Sequence, residues 1–362
     1  MREQVRVGMI GTSAYADQTH LPNLKSHAGA QIAAICGRNR GRAQEMADKY
    51  AIPLVFTDYR QMLEQADLDA VVIAATDDLH YPMTMDALAA GLHVLCEKPL
   101  ALSAEQARAM TDKAKAMGVK HMTFFAWRFE VYHRYLHQLV GEGYIGRPYI
   151  CQFRQVGGYG RDGLYAWRFD RQHGNGILGD LGSHMIDMAH WLVGDITRVS
   201  AHLATSVERM GADGQPLSTP ANDSALLTVE FANGACGAIV VSATANMAER
   251  GQFHEVSLYG EGGTLELNTS SGEVQMRGVR EGQTEFEALT VPAEFRMGVD
   301  LSLPLWNRLS MAMQTQSLGD RQFVDAILND QPATPDFEDG LRVQAVIDAA
   351  LESHRSGCWV AV

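Results

Sequence analysis

Four polar residues stand among apolar neighbours in "GILGDLGSHMIDMAHW", residues 176–191: Asp180, His184, Asp187 and His190. They are spaced by four, three and three. On an α-helix of about 3.6 residues per turn, the first three fall within a stripe of about 60°. Two carboxylates and an imidazole seldom share a core-facing stripe unless they have partners. Three kinds of chemistry suit such a stripe: a metal site, an acid/base pair, or a hydrogen-bonded structural network. This segment alone leaves all three open.

Against a metal, no third histidine or cysteine lies at motif spacing and soft ligands are absent, although a carboxylate–histidine pair at i,i+4 can hold zinc. No metal is expected. The other i,i+4 pair, His133 and His137 in "HRYLH", is expected on the surface of an amphipathic helix. A second reactive group stands earlier in the chain, in "CEKPL" (96–100), where Lys98 is wedged between Glu97 and Pro99. Pro99 fixes the direction in which the chain leaves. Ligands of open α/β sheets bind outside the carboxyl ends of the strands, which is the edge where Lys98 belongs.

The elements that must carry these groups fall into two patterns. Six runs read as strands: "VRVGMI" (5–10), "QIAAIC" (31–36), "LVF" (54–56), "LDAVVIAAT" (68–76), "LHVLCE" (92–97) and "VKHMTFF" (119–125). Helical stretches such as "GRAQEMADKY", "MTMDALAAG" and "SAEQARAMTDKAKAMG" alternate with them. The fourth run is apolar on both faces, as a buried parallel strand requires. The alternation predicts a doubly wound parallel sheet of Rossmann type, an α/β domain over residues 1–125. Residues 126–362 read differently. A helix, "EVYHRYLHQLVGEG", leads to the strand "RPYICQFRQV"; two strands flank Asn233-Gly234, a strong hairpin signal, and "EVSLYGEGGTLELN" supplies another pair. These predict an α+β domain on a large, mainly antiparallel sheet, closed by a helix in "DFEDGLRVQAVIDAALESHRSG".

The first strand ends in "GTSAYA", Gly11 to Ala16. The first glycine and the closing alanine of the G-x-G-x-x-G/A fingerprint are present, and Ser13 replaces the second glycine. Serine leaves backbone N–H groups and a helix N-terminus aimed at a pyrophosphate, and adds a hydroxyl that can donate. Placed after the first strand of a six-strand pattern, the turn reads as nucleotide-binding rather than as a plain βα turn. After the second strand, "CGRNRGR" offers no acid for a ribose 2′-OH but has Arg38, Arg40 and Arg42. Arg38 stands where a guanidinium could hold a 2′-phosphate, so NADP is expected ahead of NAD.

Composition removes other classes. The chain has 362 residues, 46% hydrophobic and 20% charged, long enough for two domains. A net charge of −13 and a pI near 5.4 argue against a nucleic-acid partner, which would need a basic footprint. Five scattered cysteines without a CxxC pair fit neither a disulfide framework nor a zinc knuckle, so a reducing, cytoplasmic setting is expected. No signal-peptide pattern opens the sequence, and no apolar run approaches the roughly 20 residues that span a bilayer, so no membrane partner is expected.

"IGTSAYA", "TDDLHYPMTMDALAAGLHVLCEKPL", "GILGDLGSHMIDMAHWLVG" and "FEDGLRVQAVIDAAL", in this order, carry a resemblance. Over nearly its whole length the chain resembles the glucose–fructose oxidoreductase, inositol dehydrogenase and rhizopine-catabolism (Gfo/Idh/MocA) family. Ser13 and the "TDD" at 76–78 depart from the family's usual pattern. The resemblance implies an NAD(P)-dependent dehydrogenase of a sugar, inositol or related polyol, with Lys98, Asp180 and His184 acting on the substrate alcohol. A base works best with a pKa near the operating pH, which suits His184. Lys98 would donate to the substrate oxygen, Asp180 would orient substrate, lysine or imidazole, and Asp187 would support them from behind. The expected cofactor contacts are Gly11, Thr12, Ser13 and Ala14 in the turn, Arg38 and Asn39 after the second strand, Ala75, Thr76, Asp77 and His80 after the fourth, and Glu97 with Lys98 after the fifth. In "YGRDGLYAWRFDRQHG" (159–174), Tyr165, Trp167 and Arg168 suit a sugar, aromatic faces against C–H surfaces and guanidinium against hydroxyls; Arg128 could join them, alongside Asp180 and His184. Two other readings stay open: a redox-neutral NAD-dependent glycosidase or epimerase that keeps its cofactor, and a non-catalytic dinucleotide sensor. Strands such as "ALLTVEF" and "GAIVVSATA" have spare faces of Leu, Val, Ile and Ala, and few helices lie in 195–295 to cover them. Relatives pair such sheets, which implies a homodimer or homotetramer; whether Val240 or Val241 faces the partner is open.

Overall fold

Short strands with no polar face need covering on both sides, and the N-terminal part of the chain supplies both strands and cover. In the computed structural model, which describes residues 4–211, 213–248, 251–270 and 273–362, these strands are β1 (Val5–Ile10), β2 (Ala30–Cys36), β3 (Leu54–Phe56), β4 (Ala70–Ile73), β5 (His93–Glu97) and β6 (His121–Phe124). They form one parallel sheet in the order β3-β2-β1-β4-β5-β6, and every residue of β4 is buried. Helices α1 (Leu21–Lys25), α2 (Arg40–Tyr50), α3 (Tyr59–Gln65), α4 (Asp77–Ala89) and α5 (Ala104–Met117) connect them. Alternate side chains serve two cores, Val7, Met9, Val72 and Leu95 on one face and Ile10, Val71, Ile73, Val94 and Cys96 on the other. The strand order reverses between β1 and β4, the edge of such a sheet at which ligands bind.

The later elements are α6 (Val131–Gly141), β7 (Pro148–Val156), α7 (Ser183–Leu192), β8 (Ile196–Ala204), β9 (Ser224–Phe231), β10 (Cys236–Ser242), β11 (Phe253–Gly260), β12 (Gly263–Ser270), β13 (Glu273–Arg280), β14 (Glu287–Ala288) and α8 (Ala293–Arg296). Helices α9 (Leu305–Thr315), α10 (Asp320–Leu328) and α11 (Phe337–Ser356) and the short β15 (Val360–Ala361) close the chain. Nine described strands form a sheet in the order β14-β13-β12-β11-β7-β10-β9-β8-β15. It is antiparallel except where β7 and β10 run parallel. The hairpin at Asn233-Gly234 forms as its sequence requires: Gly234 takes a φ of +87°, and Phe231 N–H donates to the Ala235 carbonyl at 2.9 Å.

The chain divides into two units, Met1–Phe129 with Leu309–Arg342, and Glu130–Arg308 with Val343–Val362. The sequence reading drew one boundary at residue 125 and did not anticipate the return of 309–342. Leu309, Met313, Phe323 and Val324 join Val7 and Met9 in one core, and Phe337 and Leu341 join Ile10 and Val71 in the other. An amphipathic helix shows that it covers something, not which sheet it covers.

In the second unit the outward parity of the sheet is that of Val240; Val241 is buried. The outer face is less apolar than expected. Ile150 and Leu226 are each 50% exposed, but Gln152, Arg154 and Glu230 share their face. No helix among the described residues is long and apolar enough to cross a membrane.

Candidate active-site residues

In the first unit the nucleotide turn rests on Gly11. Its φ is +121°, its N–H donates to the Cys36 carbonyl at 2.9 Å, and a Cβ there would overlap the Ala74 carbonyl oxygen. Only glycine fits a turn drawn this tightly against the end of β4. Thr12 is accommodated because residue 37 is also glycine; a Cβ at Gly37 would run into its side chain. Ser13 has a specific job in place of the second glycine. Its Oγ accepts from the Ala16 N–H at 3.1 Å, and the chain is helical from Ala14 onward. Ser13 therefore caps that helix while keeping its own proton to donate. A π-helical turn, Ala16–His20, follows and runs into α1.

The segment after β2 sorts its arginines. Arg42 is committed to Asp17 at 2.7 Å, and the Asn39 side chain accepts from the Arg42 N–H at 3.0 Å, capping α2. Arg38 and Arg40 are exposed, and Arg38 has no ion pair among the described residues. After β4, Ala75 and Thr76 are half-buried, and Thr76 precedes the first turn of α4, where Asp77 lies buried at the positive end of the helix. One turn on, His80 is buried and its Nδ1 lies 2.8 Å from the Pro99 carbonyl. Burial pushes its pKa down, so the ring is neutral and Nδ1 is the donor.

The β5 edge is held from both sides. Glu97 is buried; its Oε2 accepts from the Lys98 N–H and its Oε1 faces His20 Nε2, both at 3.1 Å. Lys98 itself is half-buried. The turn that glycine alone can make, the helix that starts at Ala14 and the exposed Arg38 guanidinium together fit a dinucleotide with its phosphates on the backbone.

In the second unit, Asp180 lies in a π-helical turn, Leu178–Gly182, that continues into α7. The expectation of one regular α-helical stripe is corrected at this point, since His184 and Asp187 lie on α7 and Asp180 in the wider turn before it. Such turns recur at functional sites because they re-aim one side chain without ending the helix. Tyr159 donates its phenolic proton to Asp180 Oδ2 at 2.9 Å, and Arg168 Nε is 3.1 Å from the same oxygen. The Arg168 guanidinium lies 5.2 Å from the centroid of the Trp167 ring. Desolvation of the Tyr159 hydroxyl and the adjacent Asp180 carboxylate push the phenol pKa up, so Tyr159 is a permanent donor. His184 and Asp187 are buried on successive turns.

Tyr159 is the residue that sequence reasoning passed over. It opens the aromatic and basic segment 159–174, but its partner is 21 residues away and no spacing rule links them. Tyr165 is exposed and Trp167 half-buried. Arg128 lies in a 3₁₀ turn of the first unit, Ala126–Phe129, and pairs with Asp339 at 3.2 Å, so its charge is already answered within that unit. His133 is not on the surface, in contrast to the expectation for "HRYLH". It is buried between Glu130 (3.1 Å) and His254 (2.8 Å), while His137 is exposed and stacks on Trp191. No group of three or more His, Cys, Asp or Glu among the described residues is arranged to hold a metal ion.

Comparison with known proteins joins both units to one lineage. Residues 5–125 match the Gfo/Idh/MocA description "Oxidoreductase family, NAD-binding Rossmann fold", and residues 137–362 match "Oxidoreductase family, C-terminal alpha/beta domain". Levoglucosan dehydrogenase of Pseudarthrobacter phenanthrenivorans is 29% identical over 91% of this chain and 88% of its own. D-glucoside 3-dehydrogenase of Escherichia coli K12 is 32% identical over 72% of this chain and 77% of its own. Among solved structures, a levoglucosan dehydrogenase in complex with NADH and L-sorbose superposes with a TM-score of 0.88 at 26% identity, covering 99% of both chains.

Proposed function

The chain belongs to the Gfo/Idh/MocA oxidoreductase family, and from that premise we propose how its own residues divide the work. It is an oxidoreductase that moves a hydride between a sugar CH–OH and a nicotinamide dinucleotide. Relatives named for levoglucosan, a D-glucoside and 1,5-anhydro-D-fructose favour pyranose sugars and their anhydro derivatives as substrates. When bound, the nicotinamide supplies the hydride acceptor.

The chain's task is then the proton. His184 takes it from the reacting hydroxyl and returns it in the reverse direction, a role that suits imidazole at neutral pH. Lys98 donates a hydrogen bond to the same oxygen and steadies the negative charge that grows there. Asp180 accepts from a neighbouring sugar hydroxyl. The observation that carries this reading is the way Asp180 is held: Tyr159 and Arg168 converge on one oxygen, Oδ2, which fixes the direction of the carboxylate that is to meet the sugar. Trp167 and Tyr165 offer aromatic faces to the C–H surface of a pyranose.

The dinucleotide is held by Gly11, Thr12, Ser13 and Ala14 under the pyrophosphate and by Arg38 and Asn39 at the adenosine ribose. Ala75, Thr76, Asp77, His80 and Glu97 line its nicotinamide side. Exposed and without an ion pair among the described residues, Arg38 is suited to answer a 2′-phosphate, and NADP is the preferred cofactor. The enzyme acts in the cytoplasm and assembles as a homodimer or homotetramer through the outer sheet face around Ile150, Leu226 and Val240.

One experiment tests the reading: reduced cofactor is followed with NAD and with NADP against levoglucosan, simple D-glucosides, 1,5-anhydro sugars and inositols. Net reduction with a pyranose is expected. Turnover of a glycoside without net reduction would instead favour a redox-neutral enzyme.

A further inference from the structure

The first unit contains a buried charge cluster that the hydride chemistry does not call for. His20, at the end of the π-helical turn after the nucleotide loop, is completely buried, and both its ring nitrogens face carboxylates. Nδ1 lies 2.8 Å from Asp320 Oδ1, at the start of α10, and Nε2 lies 3.1 Å from Glu97 Oε1, at the end of β5. A neutral imidazole can donate from only one nitrogen, so this arrangement calls for the imidazolium. Burial alone pushes the His20 pKa down, but the two carboxylates carry it up to about 10. The outer oxygens are also answered: Asn23 Nδ2 donates to Asp320 Oδ2 at 3.0 Å, and the Lys98 N–H donates to Glu97 Oε2 at 3.1 Å. Tyr15 from the nucleotide turn and Phe124 from β6 pack edge-on against the imidazole and keep water out.

We propose that His20 is a positioning residue for Lys98: it fixes the Glu97 carboxylate, and Glu97 fixes the backbone from which the Lys98 side chain starts. The proposal rests on the reading of Lys98 as the lysine that meets the substrate. A buried ion cluster is seldom the most stable way to fill a core; an apolar set of the same volume is often as good or better. What the cluster adds is direction, because each carboxylate is held at both oxygens and cannot turn. On the far side of Lys98, His80 holds the Pro99 carbonyl, so the residue is fixed both before and after its Cα. A reacting group displaced by about 1 Å can lose about 10²-fold in rate, so small freedom at this edge matters.

The test uses the full chain with NAD(P) and the pyranose that gives the fastest reduction. His20→Gln keeps much of the volume, donates to one carboxylate and carries no charge. It is expected to lower kcat by about 10- to 100-fold while the Kd for NADH and the sugar KM move by less than about threefold. Glu97→Gln is expected to lose a similar factor, and the double variant His20→Gln/Glu97→Gln to be no slower than Glu97→Gln alone. Unchanged kcat in His20→Gln, or losses that multiply in the double variant, would overturn the proposal. Should His20→Gln fail to bind NADH at one equivalent per chain, Asp320→Asn takes its place in the same cycle; multiplying losses would again overturn it. Lys98→Ala separates the two claims, since wild-type turnover in that variant would overturn the role of Lys98 itself whatever His20 does.

Discussion

At the scale of single residues, the account turns on which side chains are already committed and which are available. Asp180 is clamped on one oxygen by Tyr159 and Arg168. Tyr159→Phe removes one of these holds and should raise the sugar KM and lower kcat together, by about 10-fold overall, the worth of one lost hydrogen bond to a charged group. Steady-state kinetics check this, and unchanged constants would show that Arg168 suffices. His184→Ala should lose about 10²- to 10⁴-fold in kcat with NADH binding nearly unchanged. Arg38 is exposed at the end of β2 and meets no carboxylate among the described residues, so Arg38→Asp should weaken NADPH and shift preference toward NADH; titration of both cofactors decides it. As candidates, Gly11, Lys98, Asp180 and His184 were legible in the sequence because each sits in a local motif that the family resemblance covers. Tyr159 and His20 were not, since each acquires its meaning from a partner that folding brings near, 21 residues away for Tyr159 and 300 for the His20–Asp320 contact. Burial of His133 was missed for the same reason: His254, its partner, is 121 residues on.

At the scale of elements, the six parallel strands and the Asn233-Gly234 hairpin follow from periodicity and turn chemistry, and both form where the sequence puts them. Three elements did not follow. The turn at Leu178–Gly182 is π-helical, a difference that a hydrophobic repeat cannot signal, and helices α9 and α10 have no sequence mark that assigns them to the first unit's sheet. The nucleotide turn is the element most sensitive to a single atom. Gly11→Ala places a methyl group against the Ala74 carbonyl at a φ of +121°, and the backbone conformation alone costs about 1–3 kcal/mol. A lowered Tm and weakened NADH binding are expected, measured by thermal melts with and without NADH. The π-turn that carries His20 makes the fold pH-sensitive in a defined window. Its folded pKa of about 10 stands above the ordinary histidine value of about 6.5, so the stabilisation is complete below the lower value and fades as pH rises through the upper one. Melts of wild type and His20→Gln should therefore differ most at and below about pH 6.5 and converge toward pH 10; a gap that widens with pH across that window would contradict the imidazolium.

At the scale of the whole molecule, the proposed assembly of identical chains is placed on the outer sheet face, where Ile150 and Leu226 are half-exposed. Val240→Asp, on the outward parity opposite Leu226, should split that assembly, as read by light scattering, while leaving the nucleotide turn intact; a monomeric wild type would refute it. The central claim is that one chain carries both halves of a sugar dehydrogenase, with a nucleotide site around Gly11 and Arg38 and proton chemistry at Lys98 and His184. It is tested most directly by measuring reduced nicotinamide formed from a pyranose by the wild type, Lys98→Ala and His184→Ala, alongside NADH binding by the same three proteins. The account predicts net reduction by the wild type, losses of about 10²-fold or more in both variants, and NADH bound by all three with nearly equal affinity. Reduction that survives in either variant at the wild-type rate would contradict it.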